Sequence, residues 1–97
     1  MRQHGRRRSG GYMVVLWECQ ECDRAMGIAV GRPVGSAVVR SGVRRRFRES
    51  YRHLRHAVMP AYMLFIARPG SSAASTAEIT REMEHLLREA SLWRAEE

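Results

Sequence analysis

The chain has 97 residues, of which 44% are hydrophobic and 28% are charged, so it is long enough for one small globular domain and too apolar for wholesale disorder. Seventeen arginines, no lysine and ten acidic residues give a formal net charge of +7. No apolar run approaches the roughly 18–20 residues needed to cross a bilayer, which argues against a membrane protein and favours a cytoplasmic one.

The positive charge is concentrated in the first part of the chain. Residues 1–55 carry thirteen arginines and four acids, a net +9, whereas residues 56–97 carry four arginines and six acids, a net −2. Eight of the arginines fall between Arg32 and Arg55, where Glu49 is the single acid. Such one-sided charge is typical of a surface that binds a polyanion.

The chain is expected to consist of a flexible basic arm over residues 1–10, one α+β domain over residues 11–94, and a short tail over residues 95–97. The arm contains three consecutive arginines, Arg6 to Arg8, which could touch phosphate or simply be solvated.

The domain begins with two predicted strands. Residues 12–17 are β-branched, aromatic or long apolar types, which favour a strand. Residues 18–24 are polar and predict a hairpin connection, so that residues 25–30 would pair antiparallel with the first strand. Gly31, Pro33 and Gly35 then predict a loop.

Cys19 and Cys22 have the spacing of half a zinc site, but a closed site needs four ligands. The other candidates, His53 and His56, are separated by only two residues inside a predicted helix. The cysteines are therefore interpreted as a thiol pair in a turn, and no metal ligands are predicted.

The next element is a predicted helix over residues 37–55. Apolar residues recur there at helical spacing and would form one buried stripe: Val39, Val43, Phe47, Tyr51 and Leu54. On a helical wheel, four arginines line the flank of that stripe: Arg40, Arg44, Arg48 and Arg55. Arg45 and Arg52 lie further round the same side, and Arg46 lies on the opposite flank. Gly42 is expected to cost about 1 kcal/mol relative to alanine.

The rest of the chain predicts one strand and one helix. After a connector over residues 56–60, the apolar run over residues 62–67 is typical of a strand buried on both faces. Ser75 and Glu78 form a capping box for the last helix. Its predicted core stripe is Ile79, Met83, Leu86, Leu87 and Ala90, closed by Leu92 or Trp93. The order β-β-α-β-α predicts an α+β fold with a small sheet of three to four strands packed against two helices.

The run from Met26 to Glu49 resembles the signature region of the bacterial ribonuclease P protein component. That pattern reads roughly G-(L/F)-S-V-S-K-K-V-G-N-A-V-x-R-N-R-(V/I)-K-R-x-(L/I)-R-E. The positions that fit it are Gly35, Ala37, Val38, Arg40, Val43, Arg45, Arg46, Arg48 and Glu49. Arg32 and Arg44 stand where the family usually has lysine. The strand and turn from Phe65 to Gly70 and the closing helix are also similar, so the resemblance spans about residues 12–93.

This sequence departs from the family pattern at four central positions. Ser36 and Ser41 replace asparagines, Gly42 replaces the second arginine of the Arg-Asn-Arg core, and Pro33 replaces a lysine. The family also begins with a helix whose phenylalanines line a cleft, and residues 1–11 are too short and glycine-rich to supply that helix. Either a divergent short form or a start further upstream accounts for this.

The resemblance implies a ribosomal S5 domain 2-like fold and a non-catalytic subunit of ribonuclease P, which matures the 5′ end of precursor tRNA. It implies that the RNA subunit and its Mg²⁺ ions hydrolyse the phosphodiester, that the protein itself binds no cofactor, and that its partners are ribonuclease P RNA and the 5′ leader, with no further protein required. The chain itself contains no convincing arrangement of catalytic side chains.

Two RNA-binding surfaces are expected. The arginines predicted to contact the catalytic RNA are Arg32, Arg40, Arg44, Arg45, Arg48 and Arg52. The aromatic residues predicted as candidates for stacking on leader nucleotides are Tyr12, Trp17 and Tyr51, although core packing is the favoured role for Tyr51. The alternative functions are a stand-alone small RNA-binding module associated with ribosomes or rRNA and, less favoured, a metal-dependent nuclease that acts alone.

Overall fold

The computed structural model describes residues 6–18 and 25–94, which form a four-stranded sheet and two α-helices. The strands are β1 (Arg6–Ser9), β2 (Met13–Glu18), β3 (Ala25–Ala29) and β4 (Tyr62–Ala67), and the helices are α1 (Ala37–Leu54) and α2 (Thr76–Glu89). Short 3₁₀ turns at Arg32–Val34, Arg55–Ala57 and Pro69–Ala73 connect them. The predicted α+β class and the order β-β-α-β-α from residue 13 onward are confirmed.

The strand order is β1-β2-β4-β3, which corrects the predicted hairpin. β3 does not pair with β2; it pairs in parallel with β4, and β4 pairs antiparallel with β2. The connection through α1 carries the chain back beside β3, and the most apolar strand takes the centre of the sheet. Local sequence favours pairing of consecutive strands, but here the crossover through α1 places β4 between β2 and β3. Cys19 and Cys22 of the predicted connection lie outside the described residues.

Arg6–Ser9 forms an edge strand, although these residues were predicted as part of a flexible arm. It pairs antiparallel with β2, with Arg7 opposite Leu16 and Ser9 opposite Val14. All of its residues are exposed, as befits a charged edge strand that discourages further strand pairing.

One face of the sheet packs against both helices and forms the core. Met13, Val15 and Trp17 of β2 and Met63 and Phe65 of β4 are at most 7% exposed. The helices contribute the buried residues Val43, Phe47, Tyr51, Leu54, Ile79, Met83, Leu86 and Leu87. Leu92 is also buried and Trp93 half-buried, as expected for residues that close the last helix.

The opposite face of the sheet is not covered by either helix, so β4 is not buried on both faces as predicted. Tyr62 and Leu64 of β4 are 39% and 37% exposed. The strand register places Leu16 of β2 and Gly27 of β3 beside Leu64 on this side. This surface is called the open sheet face below.

Ser75 begins α2 with the predicted capping box. Its hydroxyl accepts a hydrogen bond from the Glu78 amide at 3.1 Å, and the Glu78 carboxylate accepts one from the Ser75 amide at 2.8 Å. The two helices meet at Ser50, which is fully buried with its hydroxyl 2.8 Å from that of Thr80.

Glu82 of α2 fixes the turn between β1 and β2. Its carboxylate accepts hydrogen bonds from the backbone amides of Gly11, Tyr12 and Met13 at 2.8–3.1 Å. A Cβ atom at Gly10 would lie 2.5–2.8 Å from the same carboxylate, so a larger residue there would push the carboxylate away from the three amides. The arginine-rich edge strand is therefore held to the domain through its turn as well as through its ladder.

We predict that Glu82→Gln lowers the free energy of unfolding by about 1–3 kcal/mol, because the amide group brings a donor towards backbone N–H groups that need an acceptor. The matched control is Glu84→Gln in the same helix, which removes only an exposed ion pair with Arg88 and should cost less than about 0.5 kcal/mol. Thermal or urea unfolding measures both variants. If both variants lost the same small free energy of unfolding, the contacts of Glu82 with the three amides would add nothing beyond an exposed ion pair.

Candidate nucleic-acid interface

α1 begins at a tight turn that depends on glycine. Gly35 has φ 156°, and a Cβ there would lie 2.7 Å from a methyl group of Val39. Ser36 follows as the N-cap, with its hydroxyl accepting a hydrogen bond from the Val39 amide at 3.4 Å. Serine and asparagine are comparable N-caps, so the replacement of asparagine at position 36 preserves the local helix start.

The buried stripe of α1 turns its arginines towards solvent. Val43, Phe47, Tyr51 and Leu54 are at most 7% exposed, whereas Val39, predicted in the same stripe, is 38% exposed. Since the stripe occupies one side of the helix, residues about half a turn away must face outward. Arg45 and Arg48 are accordingly exposed, whereas Arg44, on the flank of the stripe, is half-buried.

Arg44, Arg45 and Arg48 surround a shared depression of about 430 Å³ on the outer side of α1. Val38, Ser41 and Gly42 complete its lining. This group of six residues is called the arginine basin below. Three guanidinium groups around one concavity create the positive potential that attracts phosphate.

The other predicted RNA-binding arginines lie around the basin with different local contacts. Arg40 donates a hydrogen bond from Nε to the carbonyl oxygen of Gly35 at 3.2 Å, which ties it to the turn before α1. Arg52 forms an exposed ion pair with Glu49. Arg32 is exposed in the 3₁₀ turn Arg32–Val34. These side chains extend the positive surface beyond both ends of the basin.

Arg46 lies away from this surface, as the helical wheel predicts. It is half-buried and donates a hydrogen bond to the carbonyl oxygen of Ser72 at 3.3 Å. Its contact is with the Pro69–Ala73 turn, so it joins α1 to the segment that leads into α2.

The three aromatic candidates for leader stacking do not form one platform. Tyr51 is 7% exposed and its ring packs against Phe65 with centroids 5.9 Å apart, which is the core role considered for it from sequence. Tyr12 is half-buried beside α2, in a depression that it shares with Glu82. Trp17 is also 7% exposed, yet it borders a third depression, separate from the arginine basin and from the one beside Tyr12.

That third depression, of about 400 Å³, runs from the open sheet face to the edge strand. Its lining residues are Arg6, Arg7, Leu16, Trp17, Glu18, Tyr62, Met63 and Leu64. Tyr62 is the exposed aromatic of this surface, and it is absent from the sequence-predicted candidates because a continuous apolar run predicts a strand buried on both faces. Alternation along β4 places Tyr62 and Leu64 on the same face of the sheet, and the helices leave that face uncovered.

Among the described residues, no group of three His, Cys, Asp or Glu side chains is close enough to hold a metal ion. Over the same ranges, no helix is long and apolar enough to span a membrane.

Known proteins resemble this chain in both sequence and fold. The sequence profile of the family Ribonuclease P matches residues 1–91. The ribonuclease P protein component of Acidothermus cellulolyticus is 42% identical over 90 residues, covering 88% of this chain and 74% of that protein. The protein of the same description from Thermus thermophilus is 38% identical over 88 residues; the match covers 91% of this chain and about half, 52%, of the relative.

The solved ribonuclease P protein of Staphylococcus aureus has the same fold. The superposition gives a TM-score of 0.79 at 26% identity, and it covers 93% of this chain and 84% of that one. Because the family profile spans nearly the whole sequence and the relatives share both sequence and fold, the chain belongs to the ribonuclease P protein family.

Proposed function

We propose that this chain is the protein subunit of ribonuclease P, which binds the catalytic RNA and the 5′ leader of precursor tRNA and so promotes 5′-end maturation. The observation that carries the proposal is the arginine basin, three guanidinium groups facing outward from the helix that contains the family's signature region. Newly transcribed precursor tRNA is the substrate, so the proposed place of action is the cytoplasm.

The arginine basin and its neighbours are proposed to bind the RNA subunit. Guanidinium groups donate paired hydrogen bonds that match phosphate oxygens, and they keep their charge at every physiological pH. Folded RNA presents closely spaced phosphates, and these release counterions when arginine neutralises them. The hydrolysis itself is assigned to the RNA subunit with its Mg²⁺ ions, and the role of the protein is to bind and position.

The open sheet face is proposed to hold the leader. A single strand of RNA needs flat apolar surface for its bases and positive charge for its phosphates. Tyr62 and Leu64 supply the first, and Arg7, opposite Leu16 at the sheet edge, supplies the second. This assignment replaces the sequence-based one for Tyr12 and Tyr51, because neither of them lines the open sheet face.

The function is tested by reconstitution with a bacterial ribonuclease P RNA at low magnesium concentration. The wild-type protein should stimulate cleavage of the leader, and the double variant Arg44→Gln/Arg48→Gln should bind the RNA at least about tenfold more weakly, since a hydrogen bond between charged groups contributes roughly 1.5–3 kcal/mol. The matched control, Arg81→Gln, removes the same charge from an exposed position of α2 and should behave as wild type.

The same assay decides between the three functions considered from sequence. RNA binding without any stimulation of cleavage would contradict the subunit role and favour a stand-alone RNA-binding module. Cleavage of precursor tRNA by the protein without added RNA would instead indicate a nuclease.

For the open sheet face, we predict that Tyr62→Ala weakens binding of precursor tRNA to the reconstituted complex by about 1–3 kcal/mol and leaves mature tRNA unchanged, because only the precursor has a leader to stack. Tyr62→Phe keeps the ring and should retain most of the affinity. Tyr12→Ala, on the other side of the sheet, is the control and should not alter the ratio of precursor to mature affinity. An unchanged ratio in Tyr62→Ala would remove the open sheet face as the leader site.

A further inference from the structure

We propose that the arginine basin receives one nucleotide of the RNA subunit, with its base against Val38 and the backbone at Gly42 and its phosphate on the surrounding arginines. This inference rests on the proposed function and goes further, because it specifies the chemical group that the basin takes. A surface that bound only phosphates would need the charges and nothing else.

Gly42 is not required by the fold of this chain. A Cβ at that position would meet only the guanidinium of Arg46, at 3.8 Å, which is an ordinary contact. Glycine inside a helix stabilises it less than alanine does. Glycine at position 42 therefore lowers the stability of α1, although nothing in the free protein excludes a methyl group there. A helical glycine without a steric reason is typical of a place where a ligand approaches the backbone closely.

Val38 supplies an apolar surface at the same place. It is 82% exposed, compared with 38% for its neighbour Val39. Val38 and Gly42 are four residues apart and therefore lie one above the other on the same side of α1. A methyl-bearing side chain and a bare stretch of backbone together form a small flat apolar surface.

The charged walls of the basin complete the match to a nucleotide. Arg44, Arg45 and Arg48 border the same concavity of about 430 Å³ as Val38 and Gly42. A nucleobase has apolar faces and is covalently joined to phosphate, so it fits a flat apolar surface with guanidinium groups beside it. A run of Asp and Glu side chains would satisfy the arginines but offers no planar apolar group for the surface between them, whereas every nucleotide joins a planar base to its phosphate.

The test measures the affinity of a bacterial ribonuclease P RNA for matched pairs of variants. Val38→Ala should weaken binding about 3–15-fold, the range expected when two methyl groups lose their apolar burial. Val39→Ala removes the same two methyl groups from a residue outside the basin and should leave affinity unchanged. The loss in Val38→Ala should not change the salt dependence of binding, because no charge is removed.

Gly42→Ala provides a second and independent measurement. Its melting temperature should rise by a few degrees, since the helix is stabilised, while its affinity for the RNA falls because the added methyl group lies where the base packs. His53→Ala, an exposed change in the same helix outside the basin, should leave RNA affinity as in wild type. If one nucleotide occupies the basin, the losses in Val38→Ala and Gly42→Ala should be non-additive in the double variant.

The outcomes separate this inference from the proposed function. If the wild-type protein does not bind ribonuclease P RNA, both fail. If the wild-type protein binds it and Val38→Ala and Gly42→Ala bind equally well, the nucleotide site is wrong and the subunit role stands. Tighter binding by Gly42→Ala would also overturn the nucleotide site.

Discussion

The packing of α1 onto the sheet determines which way the arginines of that helix face. Tyr51 and Phe65 meet across the layer between helix and sheet, and Val43, Phe47 and Leu54 are buried on the same side of the helix. Rotating α1 by half a turn would bury guanidinium groups without partners, which costs far more than the domain's net stability of about 5–15 kcal/mol allows. The apolar stripe thus orients the arginine basin towards solvent without any direct contact with it.

The acidic residues Glu78 and Glu82 of α2 stabilise the fold and do not belong to the arginine-rich surface. Glu82 holds the turn before β2 through three backbone amides, and Glu78 caps its own helix. Because β1 carries three consecutive arginines, a turn fixed by Glu82 also fixes one margin of the open sheet face. Negative charge on α2 therefore helps to position positive charge at the far edge of the sheet.

Helical features could be predicted from the sequence because they depend on neighbours along the chain. The bounds of α1, the capping box of Ser75 and Glu78, and the outward side of the arginines all follow from a period near 3.6 residues and from local hydrogen bonding. The separation of Arg46 from the other arginines follows from the same period. The resemblance to the ribonuclease P family likewise rests chiefly on one continuous segment, residues 26–49.

Sheet features could not be predicted in the same way. The insertion of β4 between β2 and β3 depends on pairing between strands that are far apart along the chain, and the edge strand Arg6–Ser9 is held by contacts with distant residues, including Glu82. Tyr62 was missed as an exposed aromatic for the same reason, since its exposure depends on which face the helices cover. Gly42 shows a different limit, because the space around it is visible only when the neighbouring side chains are in place.

The central claim is that guanidinium groups of α1 neutralise RNA phosphates, and the salt dependence of binding to ribonuclease P RNA tests it most directly. If about five arginines each neutralise one phosphate, a plot of the logarithm of the association constant against that of salt concentration has a slope near −4. Loss of Arg44 and Arg48 together should make that slope shallower by about 1.5–2. A nearly flat plot for the wild-type protein, or a slope that the loss of these two arginines leaves unchanged, would contradict the account.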